Sequence, residues 1–427
     1  MRILLPLAGL AALAVSACAA TPAPLGPSTP EYRAAASASE VRAPVTILIS
    51  IDGFRPDYLD RGITSNLSRL AADGVRAAMR PSFPSKTFPN HWAIVTGLRP
   101  DRNGIVSNTM EDPAGKRDKF TMATDDPWWW NAAPPLWVDA EAAGIRSAAM
   151  FWPGASVAIG GVRETEWPNE IHGGVRPNDW IPYGEAVDDA QRVDTIIDWL
   201  RRPQATRPAF LTLYFEEVDT AGHRYGPADP RTSQAVANVD SAIGYLTREL
   251  AALGQPANIV VVSDHGMAPV TKDQVIPLAD LASDADGRAV ETGVFASFQP
   301  VPGREAELAA SLSRPRDHVT CWPKAKIPAR FHYGINPRIP AWFCLADPGW
   351  RILSKPANRA TGGDHGYDND APDMRAIFIA SGPAFATRTS LPVFDNVDVY
   401  ALIRQVIGLP QAAGKDGELA PVRGALR

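Results

Sequence analysis

Along this chain, continuous apolar runs repeatedly end on acidic residues. "PVTILISID" (44–52) is β-branched and lacks alternation, the pattern of a strand buried on both faces, and it stops at Asp52. "IRSAAMFW" (145–152) and "PAFLTLYF" (208–215) predict further strands, and Asp219 follows the second. "NIVVVSDHG" (258–266) predicts a strand closing on Asp264 and His265, and "RAIFIASG" (375–382) predicts another. Helical spacing occupies 66–74, 184–200, 233–254 and 396–407. Strands alternating with helices predict an α/β fold, a mainly parallel central sheet with helices on both faces. Asp52, Asp219 and Asp264 then share the carboxyl edge of the sheet, where open α/β sheets hold their ligands. The stretch 269–360 breaks the alternation, is rich in Pro, Trp and Arg, and reads as an inserted cap subdomain.

The N-terminus has a different pattern. "MRILLPLAGLAALAVSAC" carries one early Arg2, then an apolar run too short for a spanning helix, then small residues. Residues 1–17 read as a signal peptide. "VSAC" (15–18) resembles a bacterial lipoprotein box, which would make Cys18 the lipidated first residue of a bacterial protein. An ordinary secretory cleavage among the alanines is the alternative. Residues 18–43, rich in Ala, Pro, Ser and Thr, read as a flexible tether, leaving 44–427 for the catalytic domain. The expected location is the periplasm or cell envelope, with membrane contact through the lipid anchor only. The two remaining cysteines, Cys321 and Cys344, are then a plausible disulfide in an oxidising compartment. Export away from ATP favours hydrolases over kinases. The 427 residues are 45% hydrophobic and 21% charged, ordinary globular values, and a net charge of -5 argues against duplex nucleic acid as a partner.

Candidate chemistry lies in three His-Asp stretches, "DTAGH" (219–223), "SDHG" (263–266) and "GDHGYDN" (363–369). Any one of them alone reads as a hydrogen-bonded turn. Together, Asp52, Asp219, His223, Asp264, His265 and His365 gather too many carboxylates and imidazoles at one edge to go without a cation. Mixed His/Asp ligation suits zinc better than magnesium, and six ligands suit two ions rather than one. In "FPSKTFPNH" (83–91), Thr87 stands at the start of an apolar helical stretch with Pro89 in its first turn. It reads either as a helix cap or as a nucleophile whose pKa a neighbouring cation would lower. Asn108 alone reads as a turn residue. "DDPWWWNAAPPLW" (125–137) reads as packing against the sheet.

The motifs "ISIDGFRPDYL" (49–59), "PSFPSKTFPNHWAIVTGLRPDRNGIVSN" (81–108), "MFWPGASVAIGGVRE" (150–164), "PAFLTLYFEEVDTAGHRYGP" (208–227), "VVSDHGM" (261–267) and "GDHGYDN" (363–369) resemble the nucleotide pyrophosphatase/phosphodiesterase family of the alkaline phosphatase superfamily. The likeness spans roughly 44–410. It implies an alkaline phosphatase-like fold and two zinc ions. One ion would be held by Asp52, Thr87, Asp264 and His265, the other by Asp219, His223 and His365. It further implies that Thr87 is the nucleophile, that Asn108 and the Phe88 amide bind a phosphate oxygen, and that Phe88, Tyr183 and Tyr214 wall a nucleobase site. Asp364 and Asp368 receive no ligand role. The implied activity is hydrolysis of nucleotide diesters or nucleoside triphosphates, releasing nucleoside monophosphates through a phosphothreonine. A lysophospholipid or choline-phosphate diesterase on the same scaffold is the nearest alternative. A metal-binding surface lipoprotein without turnover is the non-catalytic one.

Overall fold

The structure, a computed structural model, describes residues 41–427. The signal peptide, Cys18 and the tether up to residue 40 lie outside the described residues. Residues Arg42–Arg427 form one compact unit.

A nine-stranded sheet runs through it. Its strands are β1 (Val45–Ile51), β2 (Val75–Arg80), β3 (Ser147–Met150), β4 (Asp179–Ile181), β5 (Phe210–Phe215), β6 (Ala257–Val262), β7 (Ala376–Ser381), β8 (Thr389–Ser390) and β9 (Phe394–Asp395). The order is β8-β2-β7-β6-β1-β5-β3-β4, with β9 also pairing β2. The pairings are parallel except those of β7, which runs against both β2 and β6. β7 starts beside the end of β6, with Phe378 opposite Val262. The chain reaches it from the carboxyl edge, so it can only run back. β2, "VRAAMR", was not among the predicted strands.

Alternate side chains of the strands feed two cores. Ile47, Ile49, Ile259 and Val261 pack with helices α1 (Ser65–Asp73), α3 (Asp189–Arg201) and α5 (Pro230–Ala252). Leu48, Val260 and Val262 face α2 (Thr87–Thr96) and α6 (Asp398–Val406) on the other side. The remaining helix that positions the site is α4 (Glu217–Tyr225). α3 begins later than its apolar spacing predicts. Asp188 accepts from the Gln191 amide, and the Gln191 side chain accepts from the Asp188 amide, a capping box that sets the first turn at Asp189.

The stretch expected to be a cap carries its own four-stranded antiparallel sheet, built from Gly287–Glu291, Phe295–Pro300, Trp342–Ala346 and Val319–Pro323. Cys321 and Cys344 face each other across it and form a disulfide. The insertion has a closed neck. Ala268–Thr271 pairs antiparallel with Thr361–Asp364, so the chain leaves just after His265 and returns just before His365. Among the described residues, no helix is long and apolar enough to cross a membrane.

Candidate active site

The site grows out of the carboxyl edge of β1, β5 and β6. Asp52 directly follows β1, and its amide donates to Phe215 O at 2.9 Å. Gly53 then turns with φ +67, and a Cβ there would lie 3.0 Å from the Asp219 Cα, so glycine lets α4 approach. Asp264 and His265 follow β6 by way of Ser263. The Ser263 hydroxyl accepts from the Phe54 amide at 2.9 Å and donates to His265 O at 2.7 Å, locking this turn to the end of β1. Asp52, Asp264 and His265 are buried and form one group of convergent donors. His265 Nε2 lies 2.9 Å from Asp264 Oδ2 and 3.4 Å from Asp52 Oδ1.

The second group is Asp219, His223 and His365. α4 carries the first two one turn apart, with His223 Nε2 3.5 Å from Asp219 Oδ2. His365 arrives from the insertion's neck, and its ring stacks on His265 with centroids 3.5 Å apart. The two groups are therefore neighbours.

Their hydrogen bonding fits cations. Nδ1 of His223 faces Gly363 O at 2.9 Å, and Nδ1 of His365 faces Ser85 O at 2.8 Å. Each carbonyl needs a proton on that nitrogen. The two Nε2 lone pairs then meet 3.0 Å apart with no proton between them, which is repulsive unless a cation accepts both. Asp52 Oδ1, Asp219 Oδ1 and Asp264 Oδ2 are buried without a hydrogen-bond partner. Burial, with the charges of Asp264 and Asp219, pushes the Asp52 carboxyl well above its usual range. Burial, with the charge of Asp219, likewise raises Asp264. Burial and the neighbouring His265 push His365 well below the usual histidine range, keeping its ring neutral as a ligand must be.

Thr87 is the first residue of α2, and Lys86 occupies the cap position. The Thr87 hydroxyl makes no capping bond. It lies 3.3 Å from His265 Nε2, beside the first group. Asn90, one turn on, holds the preceding loop. Its Oδ1 accepts from the Ser82 amide at 2.7 Å, and its Nδ2 donates to Pro84 O and Lys86 O at 3.0 and 2.8 Å. The insertion supports the same loop from outside, with Phe83 packed on Phe331, Tyr333 and Phe343. Asn108 comes to the helix start, where its Oδ1 accepts the Phe88 amide at 2.9 Å. The two groups expected to share a phosphate oxygen are thus bonded to each other here, with the Asn108 amide nitrogen as the remaining donor.

The aromatic residues divide. The ring of Phe88 is half-buried against Trp130 and Phe120. Trp129, Trp130 and Trp137 are core residues. Tyr183 is 52% exposed and lies 6.2 Å from Tyr214. Tyr214 differs from the expected base wall. It points inward from β5, is 8% exposed, and its hydroxyl donates to Asp52 Oδ2 at 2.6 Å. Asp364 accepts the His365 amide at 2.9 Å and sits 3.7 Å from Lys86, while Asp368 pairs with Arg330.

Comparison with known proteins then decides the family. A family profile described as type I phosphodiesterase / nucleotide pyrophosphatase matches residues 46–368. Bis(5'-adenosyl)-triphosphatase enpp4 of Xenopus laevis is 36% identical over 370 residues, covering 86% of this chain and 78% of its own. The chain belongs to the type I phosphodiesterase/nucleotide pyrophosphatase family. Ectonucleotide pyrophosphatase/phosphodiesterase family member 3 of Bos taurus is 34% identical, covering 86% of this chain, but the chain spans only 42% of that longer relative. Among solved structures, murine ectonucleotide pyrophosphatase/phosphodiesterase 5 superposes with a TM-score of 0.83 at 32% identity, covering 90% of this chain and 100% of that one. That structure is of an inactive threonine-to-alanine variant in complex with AMP. As a member of this family, the chain is a hydrolase of the phosphodiesterase and pyrophosphatase class.

Several residues that shape this phosphodiesterase site gave no warning in the sequence. His91 is wholly buried, with Nε2 2.8 Å from the Ser50 hydroxyl and Nδ1 2.9 Å from Thr87 O and 3.4 Å from Asp264 Oδ2. Burial lowers its pKa to about 3, so it stays neutral. The available signal was its place four residues after Thr87, the lone imidazole on a largely apolar helix. Ser50, Ser263 and Asn90 act through hydrogen bonds that join segments remote in sequence, which no local pattern encodes.

Proposed function

We propose that this protein is a two-zinc nucleotide phosphodiesterase/pyrophosphatase that releases nucleoside monophosphates through a phosphothreonine intermediate. One observation carries the reading: the Thr87 hydroxyl stands 3.3 Å from His265 Nε2, at the rim of two adjacent His/Asp donor groups. Asp52, Asp264, His265 and the Thr87 oxygen would hold one zinc, and Asp219, His223 and His365 the other. Zinc bound there lowers the pKa of a neighbouring hydroxyl and offsets the charge on phosphate. The Thr87 oxygen attacks phosphorus in line, its proton passes to solvent, and the bond to the leaving oxygen breaks with its electron pair going to that oxygen. Water then cleaves the phosphothreonine and frees the monophosphate. The positive end of α2 and the Asn108 amide nitrogen orient the transferred phosphoryl group. Phe88 and Tyr183 offer aromatic faces to a base. The AMP complex of the murine relative and the named adenosine-nucleotide hydrolysis of the frog relative support a nucleotide substrate. The N-terminal "VSAC" box supports an exported, lipid-anchored bacterial protein.

The test is turnover of thymidine 5'-monophosphate p-nitrophenyl ester by the zinc-loaded chain, beside phosphocholine diesters and simple monoesters. The nucleotide diester should be the preferred substrate, with a burst of nitrophenol. Thr87→Ala should retain zinc and lose several orders of magnitude in kcat, about the effect of removing a nucleophile. A near-normal rate in Thr87→Ala would return Thr87 to a structural role, and a preference for phosphocholine diesters would favour the lipid headgroup alternative.

A further inference from the structure

Beside the second donor group lies a cavity of about 240 Å³. His223, Arg351, Asn358, Arg359, Gly363 and Asp364 line it. It is smaller than the roughly 300–1,000 Å³ of drug-sized sites, so it suits a small polar group. Its walls are cationic. Neither Arg351 nor Arg359 has a carboxylate partner among the described residues. Arg351 donates from Nη2 to Thr271 O at 3.2 Å, while its buried Nε has no acceptor. The one acid in the wall, Asp364, is offset by Lys86 at 3.7 Å and accepts the His365 amide. Such a lining favours an anion.

Its position says which anion. Thr87 contacts His265, the His265 ring stacks on His365, and His365 Nε2 meets His223 Nε2 at 3.0 Å. His223 is thus three contacts removed from the nucleophile along this row, and it forms part of the cavity wall. In an in-line displacement the departing oxygen lies opposite the attacking one. Whatever follows that oxygen is directed toward the cavity.

We propose that this cavity is a subsite for a phosphate carried by the leaving group, with Arg351 and Arg359 as its cationic contacts. Diphosphate or a nucleoside polyphosphate leaving group engages it as the bond to phosphorus breaks and the electron pair moves onto the departing oxygen. A leaving group without phosphate passes it by. The inference rests on the phosphodiesterase reading above and adds a preference for pyrophosphate bonds over simple diesters.

The experiment compares two substrates that share a thymidylyl half, thymidine triphosphate and thymidine 5'-monophosphate p-nitrophenyl ester, on the zinc-loaded full chain. Arg359 is exposed on a loop, so Arg359→Ala should fold, and zinc content checks that it has. The ratio of kcat/KM for the triphosphate to that for the ester should fall about tenfold in Arg359→Ala, further in Arg359→Glu, and comparably in Arg351→Gln. Inhibition of ester turnover by added diphosphate should weaken in parallel. A ratio that stays within about twofold of wild type in all three variants, or two substrates that decline together, overturns the subsite. A wild-type chain that releases no nitrophenol overturns the underlying activity as well, and that failure is distinct because it precedes any variant.

Discussion

Tyr214 links the sheet to the first donor group through one hydrogen bond. Its hydroxyl gives Asp52 Oδ2 a donor at 2.6 Å, leaving Oδ1 as the oxygen without a partner. The carboxylate is therefore aimed as well as supplied. Tyr214→Phe keeps the ring and its packing against His91 and removes only that donor. Partners of metal ligands of this kind typically contribute roughly 10–100-fold to metal affinity or activity, so the variant, once loaded with zinc, should yield its metal to a competing chelator more readily and turn over more slowly. Titration with a chromophoric chelator checks this, and unchanged affinity with an unchanged rate would reduce Tyr214 to a packing residue. At this scale the convergence of the two donor groups was legible, because Asp and His at strand ends carry a chemical signature that does not depend on their neighbours. The groups that aim them were not. The resemblance cast Tyr214 as a base wall, and a matched motif position does not say which way a strand residue points.

The elements were legible in proportion to how fully they are buried. β1, β5 and β6 read as strands because both faces are covered, leaving no polar interruption. β2 was hidden by Arg76 and Arg80, which give a short edge-side strand the look of a surface segment. The insertion announced itself only as a break in rhythm, since its strands are short and its sheet closes on a separate small core. α3 shows what a cap adds to periodicity. Its capping box fixes Asp188 outside the helix and leaves Asp189 in the first turn, close to Glu216 and Glu217. Burial, aided by Glu217, raises the Asp189 pKa from 3.8 to about 7, with Arg192 opposing. The folded chain thus keeps a proton that the unfolded chain releases near the ordinary value. Between those two values the folded state binds more protons, so the contribution of Asp189 to stability falls as pH rises through the window. Asp189→Asn removes the ionisation. Its Tm should exceed that of wild type at about pH 8, and the difference should vanish by about pH 4. Thermal melts at several pH values decide this. A difference that does not vary with pH would assign the effect to packing instead.

The donor groups draw on several layers of the compact unit: the ends of β1 and β6, the first turns of α4, and the neck of the insertion. Each contributes carboxylates or imidazoles that are costly to bury unpaired. Without cations, Asp52, Asp219 and Asp264 retain oxygens with no partner, and His223 and His365 direct lone pairs at each other. Metal binding is then coupled to the stability of the whole of Arg42–Arg427 rather than to one loop. Prolonged chelation should lower Tm, and added zinc should raise it, because the unfolding free energy grows with the logarithm of free metal, by about 2.7 kcal/mol at a hundredfold excess over Kd for a single site. The shift should appear in one transition. The insertion is joined to the unit through its neck and through Phe331, Tyr333 and Phe343 on Phe83, so it has apolar reason to melt with the sheet. Scanning calorimetry of chelated and zinc-restored protein at one scan rate measures both features. A Tm indifferent to chelator, in protein shown by elemental analysis to have lost its metal, would mean that the donors tolerate one another without a cation. The facing histidine lone pairs would then be no sign of a bound cation. A chelated protein that melts in two steps, with zinc restoring only the first, would confine the coupling to the edge loops and leave the sheet's stability to its two apolar cores.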